Sequence, residues 1–222
     1  MEAGLHPVAD AEIFTKAQPL SAVGHGMEAG LHPASTWNNP EPEVVLCVSS
    51  AGRIVGASLG NDVNLRDVEG RSALLLGKAK DNNASCALGP FLRLFDETFT
   101  LDTVRRMVVT LRVDGPEGFV LTGSSSMSRI SRDPEDLVAA TIGAHHQYPD
   151  GFVLFLGTMF APIQDRDEEG SGFTHRIGDR VAIAAPELGT LVNRMVHSDD
   201  AEPWTHGAGW LMRNLARRGL LG

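Results

Sequence analysis

The acidic residues between positions 41 and 62 have the types and spacing of a site for a divalent cation. Glu41 and Glu43 are two residues apart, so in an extended strand both side chains lie on one face. Glu43 and Asp62 are placed symmetrically about Gly52-Arg53. If that pair is the tip of a two-residue hairpin, antiparallel pairing sets Glu43 opposite Asp62. Three converging carboxylates repel one another, and a hard cation such as Mg²⁺ is the usual compensation.

Each of these residues also has an ordinary structural explanation. Two acids beside Pro42 fit a solvated strand edge, and an aspartate after Gly60-Asn61 fits a turn. Lys80, the nearest candidate for a catalytic cation, fits an exposed lysine, which is the usual environment of that residue. Lys78 competes with it and is disfavoured only by the spacing to Gly89-Pro90. The combination, rather than any single residue, favours a site.

The composition limits the class of protein. The chain has 222 residues, of which 42% are hydrophobic, and a formal net charge of −9. These values fit a soluble globular protein with one large domain, and they argue against nucleic acid or an anionic membrane as partner. There is no apolar run of membrane-spanning length and no signal-peptide pattern at the start. Cys47 and Cys86 are too few for a disulfide framework, so a cytoplasmic location is predicted.

Short strand patterns dominate the chain. Besides the hairpin, strands are predicted over 12–16, 107–114, 119–122, 152–156, 180–184 and 188–195. Helices are predicted over 66–76, from the cap at Asp133 to about 145, and over 208–218 before Gly219. Residues 17–39 are predicted to be a long loop, and 164–172 an acidic one. This mixture predicts an α+β fold built on a rolled mixed β-sheet with few short helices.

Six separated motifs make the chain resemble the fumarylacetoacetate hydrolase superfamily. They are, in order, Ile13-Phe14-Thr15-Lys16, Glu41-Pro42-Glu43, Gly60-Asn61-Asp62 with Arg66-Asp67, Lys80, Leu88-Gly89-Pro90 and Gly157-Thr158. Other segments, such as Trp37–Pro40 and Phe173-Thr174-His175, resemble its sugar-acid branch, the 2-keto-3-deoxy-pentonate dehydratases. The resemblance implies a catalytic domain over residues 11–222, preceded by a poorly defined segment, 1–10.

The resemblance also implies Mg²⁺ or Mn²⁺ as cofactor, a small 2-keto acid as substrate and a homodimer as the assembly. It places the metal ligands at Glu41, Glu43 and Asp62, and the active-site lysine at Lys80. The other candidates are Glu12 as a catalytic acid or base, and Arg66, Thr158, Lys16 and Ser125 as substrate contacts.

The reaction expected from this resemblance is dehydration of a 2-keto-3-deoxy-pentonate to 2,5-dioxopentanoate through an enolate, with the metal as Lewis acid. Lys80 would act as base or stabilise the enolate. Alternatives at the same site are an acylpyruvate hydrolase, an oxaloacetate decarboxylase, a Schiff-base lyase and an inactive member. The His/Glu pair of the family's hydrolases is not found ahead of residue 13, and the extra N-terminal domain usual in sugar-acid dehydratases is not expected here.

Overall fold

The computed structural model describes residues 10–221, which contain nine strands and five short α-helices. The strands are β1 Glu28–Leu31, β2 Pro42–Val48, β3 Ile54–Asp62, β4 Cys86–Leu94, β5 Val108–Asp114, β6 Val120–Ser126, β7 Phe152–Phe155, β8 Arg180–Ala185 and β9 Gly189–His197. The helices are α1 Arg66–Glu69, α2 Leu76–Lys80, α3 Leu101–Arg106, α4 Pro134–Thr141 and α5 Ala208–Arg217, with 3-10 turns at Ala73–Leu75 and Met127–Arg129.

The strands form two sheets, one in the order β1-β9-β8-β5-β6 and the other in the order β4-β3-β2-β7. Every strand pair is antiparallel except β1 with β9, which is parallel. One hydrophobic core joins the sheets, with Leu46 and Leu59 from the smaller one and Ile183 and Leu191 from the larger one. The predicted α+β fold with mixed sheets and few short helices is therefore confirmed.

The hairpin of β2 and β3 is confirmed, but the predicted two-residue tip is wrong. The strands are joined by residues 49–53, where the Ser49 N–H donates to the carbonyl of Arg53 at 2.9 Å. Gly52 lies inside this loop with φ of +75°, a conformation that favours glycine. The register also shifts by one residue between Cys47 and Val48. The loop over 49–53 is centred on Ala51 rather than on Gly52-Arg53, so the centre of pairing lies nearer to the start of the chain.

The consequence is a different partner for Asp62. Glu43 pairs with Gly60, and the Asp62 N–H donates to the carbonyl of Glu41 at 3.1 Å, so Asp62 lies opposite Glu41 rather than Glu43. The difference from the predicted register is two residues. Because side chains alternate with a period of two, such a shift leaves all three carboxylates on one face.

Gly60 leaves room for the ring of Phe155, which lies over this face from β7, the strand on the other side of β2 in the same sheet. A Cβ atom there would meet the ring of Phe155 in β7 and would lie 2.6 Å from Cγ2 of Val45. We expect Gly60→Ala to lower the free energy of unfolding by about 1–3 kcal/mol, because one methyl group overpacks the site. Urea denaturation measures this. Gly77→Ala is the control, since a Cβ at Gly77 meets nothing within 4 Å, and an equal loss in both variants would contradict the steric explanation.

Two predictions near the start of the chain are wrong. Residues 11–16 are irregular rather than a strand, and the predicted loop over 17–39 contains β1. The sequence of β1 has no hydrophobic alternation, and it includes Gly30, which is a poor strand former. A Cβ at Gly30 would meet the backbone of Asn83 and would lie 3.1 Å from Cα of Ser198. Close packing therefore selects this glycine, and pairing with β9 makes the segment a strand.

The helix predictions are confirmed in type, with altered bounds. The Asp133 carboxylate caps α4 by accepting from the Glu135 N–H at 2.9 Å, but the helix ends at Thr141 rather than near 145. Gly219 follows α5 with φ of +66°, as its cap role predicts. The segment predicted as one helix over 66–76 is divided into α1, a 3-10 turn and α2, which continues to Lys80.

Within residues 10–221, no helix is both long enough and apolar enough to cross a membrane. The predicted segment 1–10 falls outside the described residues except for Asp10.

Candidate metal centre

The structure brings together the three acids that the sequence predicts as metal ligands. Glu41, Glu43 and Asp62 each offer a carboxylate oxygen, and these oxygens all lie within 4.8 Å of one another. Glu43 and Asp62 are buried, whereas Glu41 is half-buried and forms the more open side of the cluster. A set of three carboxylates from two paired strands is a fixed, all-oxygen donor set of the kind that hard divalent cations prefer.

Lys80, at the end of α2, points into this cluster. Its Nζ lies 2.6 Å from Oε2 of Glu41 and 3.0 Å from Oδ2 of Asp62, and the residue is 3% exposed. The ring of Phe14 covers it, with 5.8 Å between Nζ and the ring centroid. Lys78 is exposed, so of the two neighbouring lysines it is Lys80 that reaches the acids.

Lys16 approaches the cluster from the opposite side of Asp62. Its Nζ lies 3.0 Å from Oδ1 of Asp62, and it donates to the carbonyls of Val63 and Lys80 and to Oγ of Ser85. The ammonium group of Lys16 is therefore hydrogen-bonded to groups of the protein itself. The predicted role of Lys16 as a substrate contact stays a prediction, while its position beside Asp62, a predicted metal ligand, is shown by the structure.

Neutral donors hold the two glutamates. The Gly157 N–H donates to Oε2 of Glu43 at 2.6 Å, which ties the end of β7 to the metal face. Nδ2 of Asn64 donates to Oε1 of Glu41 at 3.0 Å, and Oδ1 of Asn61 accepts from the Glu41 N–H at 3.1 Å. Each glutamate therefore has a fixed orientation and keeps lone pairs for a cation.

Burial and mutual repulsion make the cluster electrostatically unfavourable without a cation. Burial raises the pKa of Glu41 to about 7, although Lys80 opposes the shift. Burial, together with the charges of Asp62 and Glu41, raises the pKa of Glu43 well above its ordinary value. Burial by itself would lower the pKa of Lys80, but Glu41 and Asp62 outweigh it and raise the pKa, so the side chain is an ammonium. A dication at the acids would relieve the repulsion between them.

Two of the remaining candidates, Thr158 and Ser125, hold the loop that follows Gly157. Thr158 follows Gly157, and its Oγ1 accepts from the Phe160 N–H at 3.2 Å. Ser125 is buried, and its Oγ accepts from the Met159 N–H at 2.9 Å, so it anchors the same loop. Their roles as substrate contacts stay predictions.

Arg66 and Glu12 are less closely tied to the acids. The guanidinium of Arg66 stacks on the ring of Trp37 at 4.6 Å. Glu12 is exposed, two residues before Phe14, whose ring covers Lys80. The substrate role of Arg66 and the acid–base role of Glu12 stay predictions.

Sequence reasoning missed Asn64, Glu69 and the Gly157 N–H as parts of the site. Asn64 lies two residues after Asp62, so in an extended strand both side chains are on the same face. This spacing is the sequence signal that could have identified Asn64. Glu69 accepts from Nδ2 of Asn64 at 2.6 Å, a contact made by α1 folding back on the strand end. The Gly157 contact joins residues 114 positions apart.

The fold and this acid cluster define the class of protein. The family model for the fumarylacetoacetate (FAA) hydrolase C-terminal domain matches residues 10–196. The chain therefore belongs to the fumarylacetoacetate hydrolase family.

Within that family, the chain is similar to sugar-acid dehydratases. It is 31% identical, over 82% of its length, to 2-dehydro-3-deoxy-D-arabinonate dehydratase of Saccharolobus solfataricus, and 32% identical, also over 82%, to a probable 2-keto-3-deoxyxylonate dehydratase of Haloferax volcanii. It spans 57% and 59% of the length of these relatives. A solved 2-keto-3-deoxy-D-arabinonate dehydratase complexed with magnesium and 2,5-dioxopentanoate matches with a TM-score of 0.72 at 30% identity, over 82% of this chain and 61% of that one.

Proposed function

We propose that this chain catalyses the Mg²⁺-dependent dehydration of a 2-keto-3-deoxy-pentonate to 2,5-dioxopentanoate, with Mn²⁺ as a substitute. The observation that carries the proposal is the cluster of Glu41, Glu43 and Asp62, with the ammonium of Lys80 hydrogen-bonded to Glu41 and Asp62. The similarity to two dehydratases, and to a solved one that holds magnesium and 2,5-dioxopentanoate, supports the same reaction.

Glu41, Glu43 and Asp62 would hold the cation. Bound there, Mg²⁺ supplies Lewis-acid polarisation of the substrate's 2-keto group, which acidifies the hydrogens at C3. Thr158 and Arg66 are the proposed holders of the substrate carboxylate, and Ser125 and Lys16 are proposed as further contacts. Thr158 is supported by its place directly after the Gly157 N–H that holds Glu43.

The proton transfers divide between a base and an acid. A base takes a proton from C3, and Glu12 is the proposed group because its segment borders Lys80 through Phe14. The C4–O bond then breaks, and the departing hydroxyl takes a proton and leaves as water. Of the two roles expected for Lys80, base or stabiliser of the enolate, the second is the one proposed, because the side chain is an ammonium and its charge stabilises negative charge on the C2 oxygen. As an ammonium, Lys80 is also the proposed donor of the proton to the departing hydroxyl. Loss of a C5 proton and gain of one at C3 give the enol of the aldehyde. The enol hydroxyl then loses its proton and C4 gains one, which gives 2,5-dioxopentanoate.

A single set of assays tests the function. Purified protein is given 2-keto-3-deoxy-D-xylonate or 2-keto-3-deoxy-D-arabinonate, with Mg²⁺ or with EDTA, and formation of 2,5-dioxopentanoate is followed. We expect product only with the divalent cation. The proposed reaction needs the cation to polarise the keto group, and the single positive charge of Lys80 does not replace it.

The same assays include acylpyruvate and oxaloacetate. Pyruvate released from either of them, with no aldehyde from the sugar acids, would identify a hydrolase or decarboxylase instead. Mg²⁺-dependent binding of oxalate without any turnover would identify an inactive member. Turnover that persists in EDTA and is trapped by borohydride would assign a Schiff base to Lys80.

A homodimer is proposed as the assembly. Apolar side chains are exposed on β4, where Phe91 is 51% and Leu94 is 62% exposed, and on α5, where Trp210 and Met212 are exposed. Exposed apolar residues on an edge strand favour association with another copy of the chain. Light scattering at micromolar concentration checks this, and a monomer would contradict it.

We also propose a cytoplasmic location for the protein. Cys47 and Cys86 are both free thiols, which fits a reducing compartment. Cell fractionation checks this proposal, and recovery of the native protein outside the cytoplasm would contradict it.

A further inference from the structure

The metal face continues one residue pair beyond the three acids. Asn39 and Asn64 are paired by two backbone hydrogen bonds of 3.0 Å each, in line with Asp62 opposite Glu41 and Gly60 opposite Glu43. Because cross-strand partners share a face, the side chains of this pair stand beside the carboxylates. Asn64 is 2% exposed, and both its N–H and its carbonyl are hydrogen-bonded to Asn39, so its side chain is held at the edge of the acid cluster.

The amide of Asn64 lies between two carboxylates. Nδ2 donates to Oε1 of Glu41 at 3.0 Å and to Oε2 of Glu69 at 2.6 Å. Both partners are acceptors, so both contacts require the NH₂ end of the amide and fix its orientation. Asn64 therefore separates the carboxylates of Glu41 and Glu69, and it donates one hydrogen bond to each of them.

Glu69 acts on the cluster only through this amide and its charge. It ends α1, four residues from the Leu65 carbonyl that accepts its N–H at 2.9 Å, and its side chain is half-buried. Lys80 holds the other oxygen of Glu41, Oε2, at 2.6 Å. Glu41 is the most exposed of the three acids, so without Asn64 its carboxylate would be held on one side only.

We propose that Asn64, held by Glu69, is a positioning residue that orients Glu41 for the divalent cation. This inference rests on the proposed metal-dependent function. It adds Asn64 and Glu69 to the site formed by the three acids. Outer-shell groups that orient a ligand typically change metal affinity by about 10–100-fold when they are lost. Loss of the Asn64 amide should therefore weaken the binding of Mg²⁺ even when no substrate is present.

The test is calorimetric titration of Mg²⁺ alone into Asn64→Leu and into the parent protein. We expect the Kd for Mg²⁺ to rise by about 10–100-fold in the variant. Asn193→Leu is the matched control. Asn193 is also 2% exposed, and its Nδ2 donates two hydrogen bonds, to the carbonyls of Gly24 and Met27. That control should lose stability and keep the parent Kd.

Two variants at Glu69 keep the inference testable if Asn64→Leu does not fold. Glu69→Gln retains an oxygen that accepts from Asn64, and its Kd should stay within about 3-fold of the parent, whereas Glu69→Ala should weaken Mg²⁺ binding more than Glu69→Gln does. A parent-like Kd in Asn64→Leu or, if that variant does not fold, in Glu69→Ala would overturn the inference. Failure of the parent protein to bind Mg²⁺ would instead overturn the proposed function.

Discussion

Replacing Glu43 with glutamine is expected to abolish the stabilisation of the protein by Mg²⁺. Glu43 is 3% exposed and shares one small volume with Glu41 and Asp62, so its charge is part of what holds a cation there. Loss of a ligand should exceed the roughly 10–100-fold effect of an outer-shell residue. The parent protein at a Mg²⁺ concentration of about 100 times its Kd should gain about 2.7 kcal/mol, and the variant should gain almost none.

The same variant should not be less stable than the parent when no metal is added. Burial and the neighbouring carboxylates raise the pKa of Glu43, so its charged form is unfavourable in the folded protein. Glutamine removes that charge, and its amide oxygen still accepts from the Gly157 N–H. Glu43→Gln should therefore keep its stability without metal but lose the stabilisation by Mg²⁺. This combination distinguishes loss of a ligand from general damage to the fold.

Thermal unfolding with and without Mg²⁺, together with calorimetric titration, measures both effects. Glu135→Gln is the control, because that exposed residue at the start of α4 also loses one negative charge, and its ion pair with Arg105 is part of a different region of the chain. An unchanged Mg²⁺ titration in Glu43→Gln would falsify the assignment of Glu43 as a ligand. Loss of metal binding in both variants would attribute the effect to net charge instead.

Asp179→Asn is expected to lower the free energy of unfolding by about 3–5 kcal/mol. The Arg166 guanidinium makes two hydrogen bonds of 2.7 Å to Asp179, and both side chains are fully buried. Nδ1 of His175 and the Arg176 N–H complete the environment of the carboxylate, at 2.9 and 3.1 Å. Without the Asp179 carboxylate, the buried guanidinium loses its buried counter-charge and keeps Glu117, which is one-third exposed, and this is the reason for the large expected loss.

The pH dependence gives a second measurement. Burial by itself would raise the pKa of Asp179, but the hydrogen bonds from Arg166 and His175 outweigh it and lower the pKa to about 2. A folded-state pKa below the unfolded-state value of 3.8 stabilises the protein above that value, and the contribution is lost as the pH falls towards 2. The difference in stability between Asp179→Asn and the parent should therefore shrink between pH 4 and pH 2.

Urea denaturation at neutral and acid pH measures these differences. Asp167→Asn, in the same loop, is the control, because Asp167 pairs with Arg176 on the surface and should contribute at most about 1 kcal/mol. Similar losses in the two variants would contradict the assignment of Arg166 and Asp179 as a structural pair. The pair also bears on the site, since Thr174 and His175 both contact Asn38, which precedes Glu41 by three residues.

Local sequence patterns were sufficient for the parts of the protein that depend on neighbouring residues. The two-residue spacing of Glu41 and Glu43 placed both acids on one face, and a helix cap at Asp133 and a left-handed glycine at Gly219 were predicted where they occur. The prediction that the three acids share a face is correct even though the predicted register is wrong. The reason is that only a shift by an odd number of residues moves a side chain to the other face.

What the tertiary structure decided are the contacts between distant parts of the chain. The cross-strand partner of Asp62 depended on a loop length and a bulge, and neither follows from residue symmetry. Lys16 reaches the carbonyl of Val63 across 47 positions, and Arg166 in the acidic loop is fully buried against Asp179. The amide bridge from Glu41 through Asn64 to Glu69 depends on how α1 folds back after the strand. Alternation along the chain therefore determined which acids share a face, and packing determined which groups hold them there.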